Sequence, residues 1–185
     1  MIPIFLDPFK VRVGVVGRGQ ICVRRLAWLR GLGASPTVFS DEPSEELRAR
    51  AGSALVGRLP QEGDLVRLAA LWIVDVDVVA ERRLAEAVRL SGILVNVEDA
   101  KGHCDFHTPA VVRRGKLVLA AGTGGASPAA AAIVRERLEE VFPEEWAEAL
   151  DEVARARIAL RKAGARLEDL NTDARRRLRA RALIS

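Results

Sequence analysis

The segment VGVVGRGQIC, residues 13–22, constrains this chain more than any other. An apolar, mostly β-branched run ends at Gly17-Arg18-Gly19. Helical periodicity then begins at once, with Ile21, Arg25 and Trp28 recurring at spacings of three and four. A buried strand, a glycine turn and a helix in that order open a parallel β–α unit. Gly17 and Gly19 permit a tight turn and close approach of a pyrophosphate to the first N–H groups of the helix, where the helix dipole favours negative charge. The third small position of such a turn, three residues after Gly19, holds Cys22, which is small enough for helix–strand packing.

The same alternation continues down the chain. Gly33 stops the first helix, and a strand is predicted at 36–40, with Pro36 at its start, where a missing N–H is tolerable. SALVGR at 53–58 reads as a third strand, after a helix at 43–50. ALWIVDV at 70–76 is a continuous apolar run, the pattern of a strand buried on both faces. A helix fits 78–90 and a further buried strand fits GILVNV at 92–97. Strands alternating with helices predict an α/β fold, a Rossmann-type doubly wound parallel sheet.

After residue 107 the pattern changes. AVVRRGKLVLAAG reads as a hairpin turning around Arg113–Lys116. From Ser127 the chain is nearly all helical, with breaks near Pro143 and at Gly164. A hairpin plus one helix buries little apolar area alone, so residues 108–145 read as a dimerisation region completed by a second copy. The predicted organisation is a nucleotide-binding domain at 1–107, that region at 108–145, and a small C-terminal helical domain at 146–185.

Composition narrows the function classes. No apolar run approaches the ~18 residues of a membrane span, and the N-terminus has no basic start or cleavage site of a signal peptide. Two cysteines make no disulfide framework, and the cytoplasm is the expected location. The formal charge is +4. Residues 151–185 hold ten basic and five acidic residues, so the basic character lies there, from Arg155 to Arg181. A solvated helix face explains it, and a polyanionic small molecule is the sharper alternative. With no Tyr, a stacking surface for nucleic acid is hard to build, and no nucleic-acid partner is expected.

Three constellations carry chemistry. Asp41 and Glu42 follow the second strand, where carboxylates bind ribose hydroxyls and repel a 2′-phosphate, favouring NAD over NADP. Asp99 follows Asn96 and Val97 at the end of a strand, where ligands of open parallel sheets collect. A carboxylate there can take or position a proton; Glu98 beside it points the other way. In GTGGASP, residues 122–128, Ser127 is a natural N-cap and Pro128 a natural N1 residue. Thr123 offers a hydroxyl, Gly124 and Gly125 free the backbone for a ligand, and the helix start suits a bound carboxylate. His103, Cys104, Asp105 and His107 lie too close together for a standard zinc site, and no metal site is assigned.

These residues together resemble the precorrin-2 dehydrogenase / sirohydrochlorin ferrochelatase family. The resemblance runs from Pro3 to about residue 160. It rests on PIFL at 3–6, VGRG at 16–19, N-V-x-D at 96–99, CDF at 104–106 with Pro109, and G-G-x-S-P at 124–128. It implies a homodimer that oxidises precorrin-2 to sirohydrochlorin with NAD. In some members Fe²⁺ is then inserted as a further substrate, and the sequence does not say which kind this is. The family's key aspartate falls on Asp99, and its cofactor contacts fall on Gln20, Ile21, Asp41 and Glu42. Substrate contacts are expected at Asn96, Thr123, Gly124, Gly125 and Ser127. No methyltransferase domain of the kind that often follows is expected in this chain, so synthesis of precorrin-2 itself is not expected. Gly-Arg-Gly replaces the family's common triple glycine, which bears on cofactor affinity. The competing class is a non-catalytic Rossmann dimer that senses a nucleotide or tetrapyrrole; such a sensor has no need of a carboxylate at Asp99.

Overall fold

The computed structural model describes residues 1–185, which form two compact units, Met1–Thr108 and Pro109–Ser185. The first unit contains β1 (Val13–Val16), α1 (Gln20–Gly31), β2 (Thr37–Phe39), α2 (Glu45–Ala51), β3 (Leu55–Val56), α3 (Glu62–Leu65), β4 (Ala70–Ile73), α4 (Val78–Leu90) and β5 (Leu94–Val97). The five strands make one parallel sheet in the order β3-β2-β1-β4-β5. After β3 the chain returns across β1 to begin β4, so the strand order reverses beside β1. That reversal is the topological switch point at which open α/β sheets bind ligands.

β1 and β4 are buried throughout, as expected of strands covered on both faces. One core cluster packs Val15, Cys22, Leu26 and Leu47 with Trp72; the other packs Val16, Phe39 and Ile73 with Leu84 and Val88. Trp72 also meets Phe106 edge-on, with ring centroids 4.9 Å apart, and its indole N–H donates to Thr108 Oγ1 at 2.9 Å. α4 starts on Asp77, whose carboxylate accepts from Ala80 N at 2.9 Å.

Strands and helices fall where the periodicity predicts, but several are shorter. The SALVGR run yields only Leu55–Val56, because Gly52–Ala54 turns as a 3₁₀ segment. β4 stops at Ile73, two residues before Asp75 takes a left-handed backbone with φ +51°. The short helix α3 has no apolar periodicity to announce it. It is held by a capping box, with the Asp64 carboxylate accepting from Gln61 N at 2.7 Å.

The second unit contains the antiparallel pair β6 (Ala110–Arg114) and β7 (Leu117–Ala121), then α5 (Pro128–Val141), α6 (Trp146–Lys162) and α7 (Leu167–Ala180). Arg114 pairs with Leu117, leaving a two-residue turn in which Gly115, at φ +57°, supplies the positive φ required. Ser127 caps α5 by accepting from Ala130 N at 3.1 Å, with Pro128 following it. α7 is fixed to α6 by ion pairs: Arg177 to Glu152 at 2.6 Å, and Arg181 to Glu148 and Glu152 at 3.1 Å each. Much of the basic character at this end is therefore matched within the unit, while Arg157, Arg161 and Arg175 stay exposed with no acidic partner.

Gly17 closes the turn after β1. A Cβ there would lie 2.5 Å from the Val74 carbonyl oxygen and 2.7 Å from Cys22 Cβ. Neither neighbour is a flexible side-chain end, so Gly17→Ala should destabilise the first unit by about 1–3 kcal/mol. Urea unfolding checks this, through a lower midpoint at unchanged slope.

Candidate functional site

The candidate residues of the first unit gather at the carboxyl edge of the parallel sheet. Backbone hydrogen bonds tie that edge together: Gly17 N to Phe39 O at 3.1 Å, Val74 N to Val16 O at 2.9 Å, and Glu98 N to Ile73 O at 3.0 Å. The segments after β1, β2, β4 and β5 thus emerge side by side.

Gly17 is buried, and Gly19 stands at the N-cap of α1, where it provides no side-chain cap. The first helical N–H groups need partners from elsewhere. One is met by Asp75, whose Oδ2 accepts from Cys22 N at 2.9 Å. Gln20 is exposed and Ile21 half-buried at the same helix start. The thiol of Cys22 lies inside the core. Burial, reinforced by the Asp75 charge, pushes its pKa up to about 12.

Asp41 and Glu42 are exposed just beyond β2. Ser40, between β2 and Asp41, is fully buried and its hydroxyl has no hydrogen-bond partner. Arg18, the middle residue of the glycine turn, reaches Asp41 with two donors: Nε to Oδ1 at 2.8 Å and Nη2 to Oδ2 at 2.7 Å. Its Nη1 lies 3.4 Å from Asp77 Oδ2. The guanidinium holds the Asp41 carboxyl below its ordinary range, and Asp41 in turn raises the guanidinium.

Asp99 is exposed at the end of β5 with a left-handed backbone, φ +57°. Asp tolerates that region better than most residues. Such outliers persist where surrounding structure fixes them, and the residue before Asp99 is held by Arg25. Its Nη2 donates to Glu98 Oε2 at 2.6 Å, and its guanidinium lies 5.5 Å from the centre of the Trp28 ring. Glu98 is thus occupied by α1, and Asp99 has no partner.

The C-D-F segment folds back along the free edge of β5. Asp105 N donates to Val95 O at 2.8 Å, and the Asp105 carboxylate accepts from Val95 N at 3.1 Å. The Cys104 thiol accepts from Val97 N at 3.2 Å and donates to Val97 O at 3.1 Å. Asn96 is buried, and its amide nitrogen donates to Phe106 O at 2.8 Å. His103 faces Glu81 at 3.4 Å. Nowhere do three His, Cys, Asp or Glu side chains converge as a metal site would require.

In the second unit, Gly124 and Gly125 both have positive φ, +65° and +72°. The Thr123 hydroxyl donates to Ser127 O at 3.0 Å and accepts from Ser127 N at 3.2 Å. Both hydroxyls predicted to meet a ligand therefore also shape the turn that leads into α5.

Three residues organise the carboxyl edge without a sequence signal of that role: Arg18, Arg25 and Asp75. Arg18 was visible as the side chain interrupting a glycine pair. Asp75 was visible only as an acid ending an apolar run, and nothing in the sequence pairs Arg25 with Glu98. A shallow concavity lined by Lys10–Arg12 and Val66–Ala69 contains none of the candidate residues.

A five-stranded parallel sheet with its switch point at a Gly-x-Gly turn defines a Rossmann-type dinucleotide-binding domain. The chain belongs to the family described as "Putative NAD(P)-binding", whose model matches residues 4–110. It is similar to the siroheme synthase of Nitrosococcus oceani, 31% identical over 148 residues, covering 78% of this chain and 32% of the relative. It is also similar to that of Nitrosospira multiformis, 33% identical over 149 residues, covering 77% and 32%. The chain spans about a third of the length of these curated relatives. A solved structure, SirC, precorrin-2 dehydrogenase, superposes with a TM-score of 0.68 over 95% of this chain and 88% of that one. At 23% identity this shows a shared fold. No helix is long and apolar enough to cross a membrane.

The two free thiols should differ in reactivity. A thiol reagent at pH 8 should leave Cys22 unmodified in the native protein, because it is buried and stays protonated. Half-buried Cys104 should react, and denaturant should expose both; mass spectrometry of the labelled peptides checks the assignment.

Proposed function

We propose that this chain oxidises precorrin-2 to sirohydrochlorin with NAD⁺, as a homodimer in the cytoplasm. The observation that carries the reading is Asp99: an exposed, unpaired carboxylate in a left-handed turn, on the same sheet edge as the Gly17–Gly19 turn. The names of the siroheme synthase relatives and of the structural neighbour support the substrate class.

The residues suit the cofactor. Gly19 leaves the start of α1 without a side-chain cap, and Asp41, Glu42 and the unpartnered Ser40 hydroxyl lie at the end of β2. The backbone at Gly19, Gln20 and Ile21 would hold the diphosphate, and the β2 end would hold the adenosine ribose. NAD⁺, when bound, supplies the hydride acceptor. Asp99 takes the proton lost from the substrate in the same oxidation and passes it to solvent, so the products are sirohydrochlorin, NADH and one proton. Arg25, through Glu98, positions the strand end that carries Asp99. Asn96 does the same from inside, by holding the 104–106 segment against β5. Within the second unit taken by itself, the Thr123–Ser127 turn and the start of α5 suit an anionic group. If the protein also inserts Fe²⁺, the same Asp99 carboxylate is placed to take up the pyrrole protons.

Burial supports the dimer. In residues 109–185 only Val112, Ala121, Ala149 and Leu170 are buried, while Ile133, Val134 and Val141 of α5 stand exposed. A second copy packed on this face would cover them. Light scattering should give twice the mass of one chain at micromolar concentration; a monomer would contradict the assignment.

Asp99→Ala should lower kcat by a factor of about 10²–10⁴. The variant should keep its circular dichroism, its dimer and its affinity for NAD⁺. Asp99→Asn, which preserves shape and the left-handed preference, should lose turnover equally. Wild-type turnover in either folded variant would remove Asp99 from the mechanism.

A further inference from the structure

We propose that Arg18 sets how far this site discriminates between NAD⁺ and NADP⁺, by offering its guanidinium to a phosphate on the adenosine ribose. The inference rests on the dinucleotide reading of the Gly17–Gly19 turn and goes beyond it to cofactor selection.

The carboxylate at the end of the second strand is where a Rossmann site accepts ribose hydroxyls, and carboxylates there repel a 2′-phosphate. Read alone, Asp41 and Glu42 make an NAD site. In the folded protein both oxygens of Asp41 are already engaged by Arg18, at 2.8 and 2.7 Å. The guanidinium therefore sits within hydrogen-bond reach of the ribose acceptor. The turn that carries it is fixed against the start of α2, because Arg18 O accepts from Ser44 N at 2.8 Å.

Arg18 can change partners readily. Its side chain is 26% exposed and that of Asp41 33%, so the pair is partly in water and weakly held. A guanidinium forks onto phosphate as well as onto carboxylate. Its remaining donor, Nη1, has only a long contact with Asp77, at 3.4 Å. Against a phosphate stand Asp41, Glu42 and Asp77. Without Arg18 all three oppose it unaided; with Arg18 one cation lies among them at the point of approach. The wild-type protein therefore takes both nucleotides with a modest preference for NAD⁺, and loss of Arg18 restores strict NAD⁺ selection.

Calorimetric titration of the full chain with NAD⁺ and NADP⁺ tests this, in the wild type, Arg18→Gln and Glu42→Gln. The wild type should bind NAD⁺ tighter than NADP⁺ by no more than about tenfold, and Arg18→Gln should widen that ratio by a further tenfold or more, the size of one charge-assisted contact. The widening should come from weaker NADP⁺, with NAD⁺ little changed. Glu42→Gln should narrow the ratio. Arg18→Gln weakening both nucleotides equally would place Arg18 on the diphosphate and overturn the proposal. So would a wild type that excludes NADP⁺ by more than about a hundredfold, since no phosphate contact of useful strength would then exist. A folded wild type that binds neither nucleotide would instead sink the dinucleotide reading itself, a result distinct from unchanged selectivity.

Discussion

The contact on which the carboxyl edge depends is the approach of the turn after β1 to the end of β4. The missing side chain of Gly17 lets the backbone pass against the Val74 carbonyl at a distance no Cβ would permit. That proximity fixes where α1 begins. It also brings Asp75 to the helix start, where the carboxylate accepts from Cys22 N. The same proximity leaves Arg18 pointing across the edge toward Asp41 and Asp77. One steric requirement at one residue thus places the glycine turn, a helix cap and an ion pair.

Charge at this edge is unevenly satisfied. Asp41 and Asp77 share Arg18, Asp75 caps α1, and Glu98 is held by Arg25. Asp99 alone among these acids has no partner; Glu42 makes no hydrogen bond but lies in the field of Arg18. A carboxylate left free beside several that are tied down is available for proton transfer, whereas the tied ones act on position. Glu98, held by Arg25, and the free carboxylate of Asp99 in its left-handed turn are adjacent residues in different surroundings.

Much of this was legible in the sequence. Continuous apolar runs at 70–76 and 92–97 announced strands buried on both faces, and the glycine pair after the run at 13–16 announced the turn into α1. Ser127-Pro128 announced the start of α5 because capping is a local effect, written within four residues. What escaped were contacts between residues far apart in the chain. Arg18 with Asp41 and Arg25 with Glu98 are ion pairs that only the β-strand order brings together. The resemblance makes Asn96 a substrate contact, and its sequence position says nothing of its other partners. Its burial and its bond to Phe106 O depend on the 104–106 segment folding back, which no periodicity reports. The shortened β3 and the short α3 were missed for the complementary reason: they are set by turns and a capping box, not by an apolar pattern.

Stoichiometric turnover is the sharpest test of a coupled oxidation at this edge. The purified chain, given precorrin-2 generated in situ under anaerobic conditions and NAD⁺, should produce the sirohydrochlorin spectrum and NADH in equal amounts. Appearance of neither product, from a folded protein that binds NAD⁺, would contradict the account and leave a nucleotide-binding protein with no dehydrogenase chemistry.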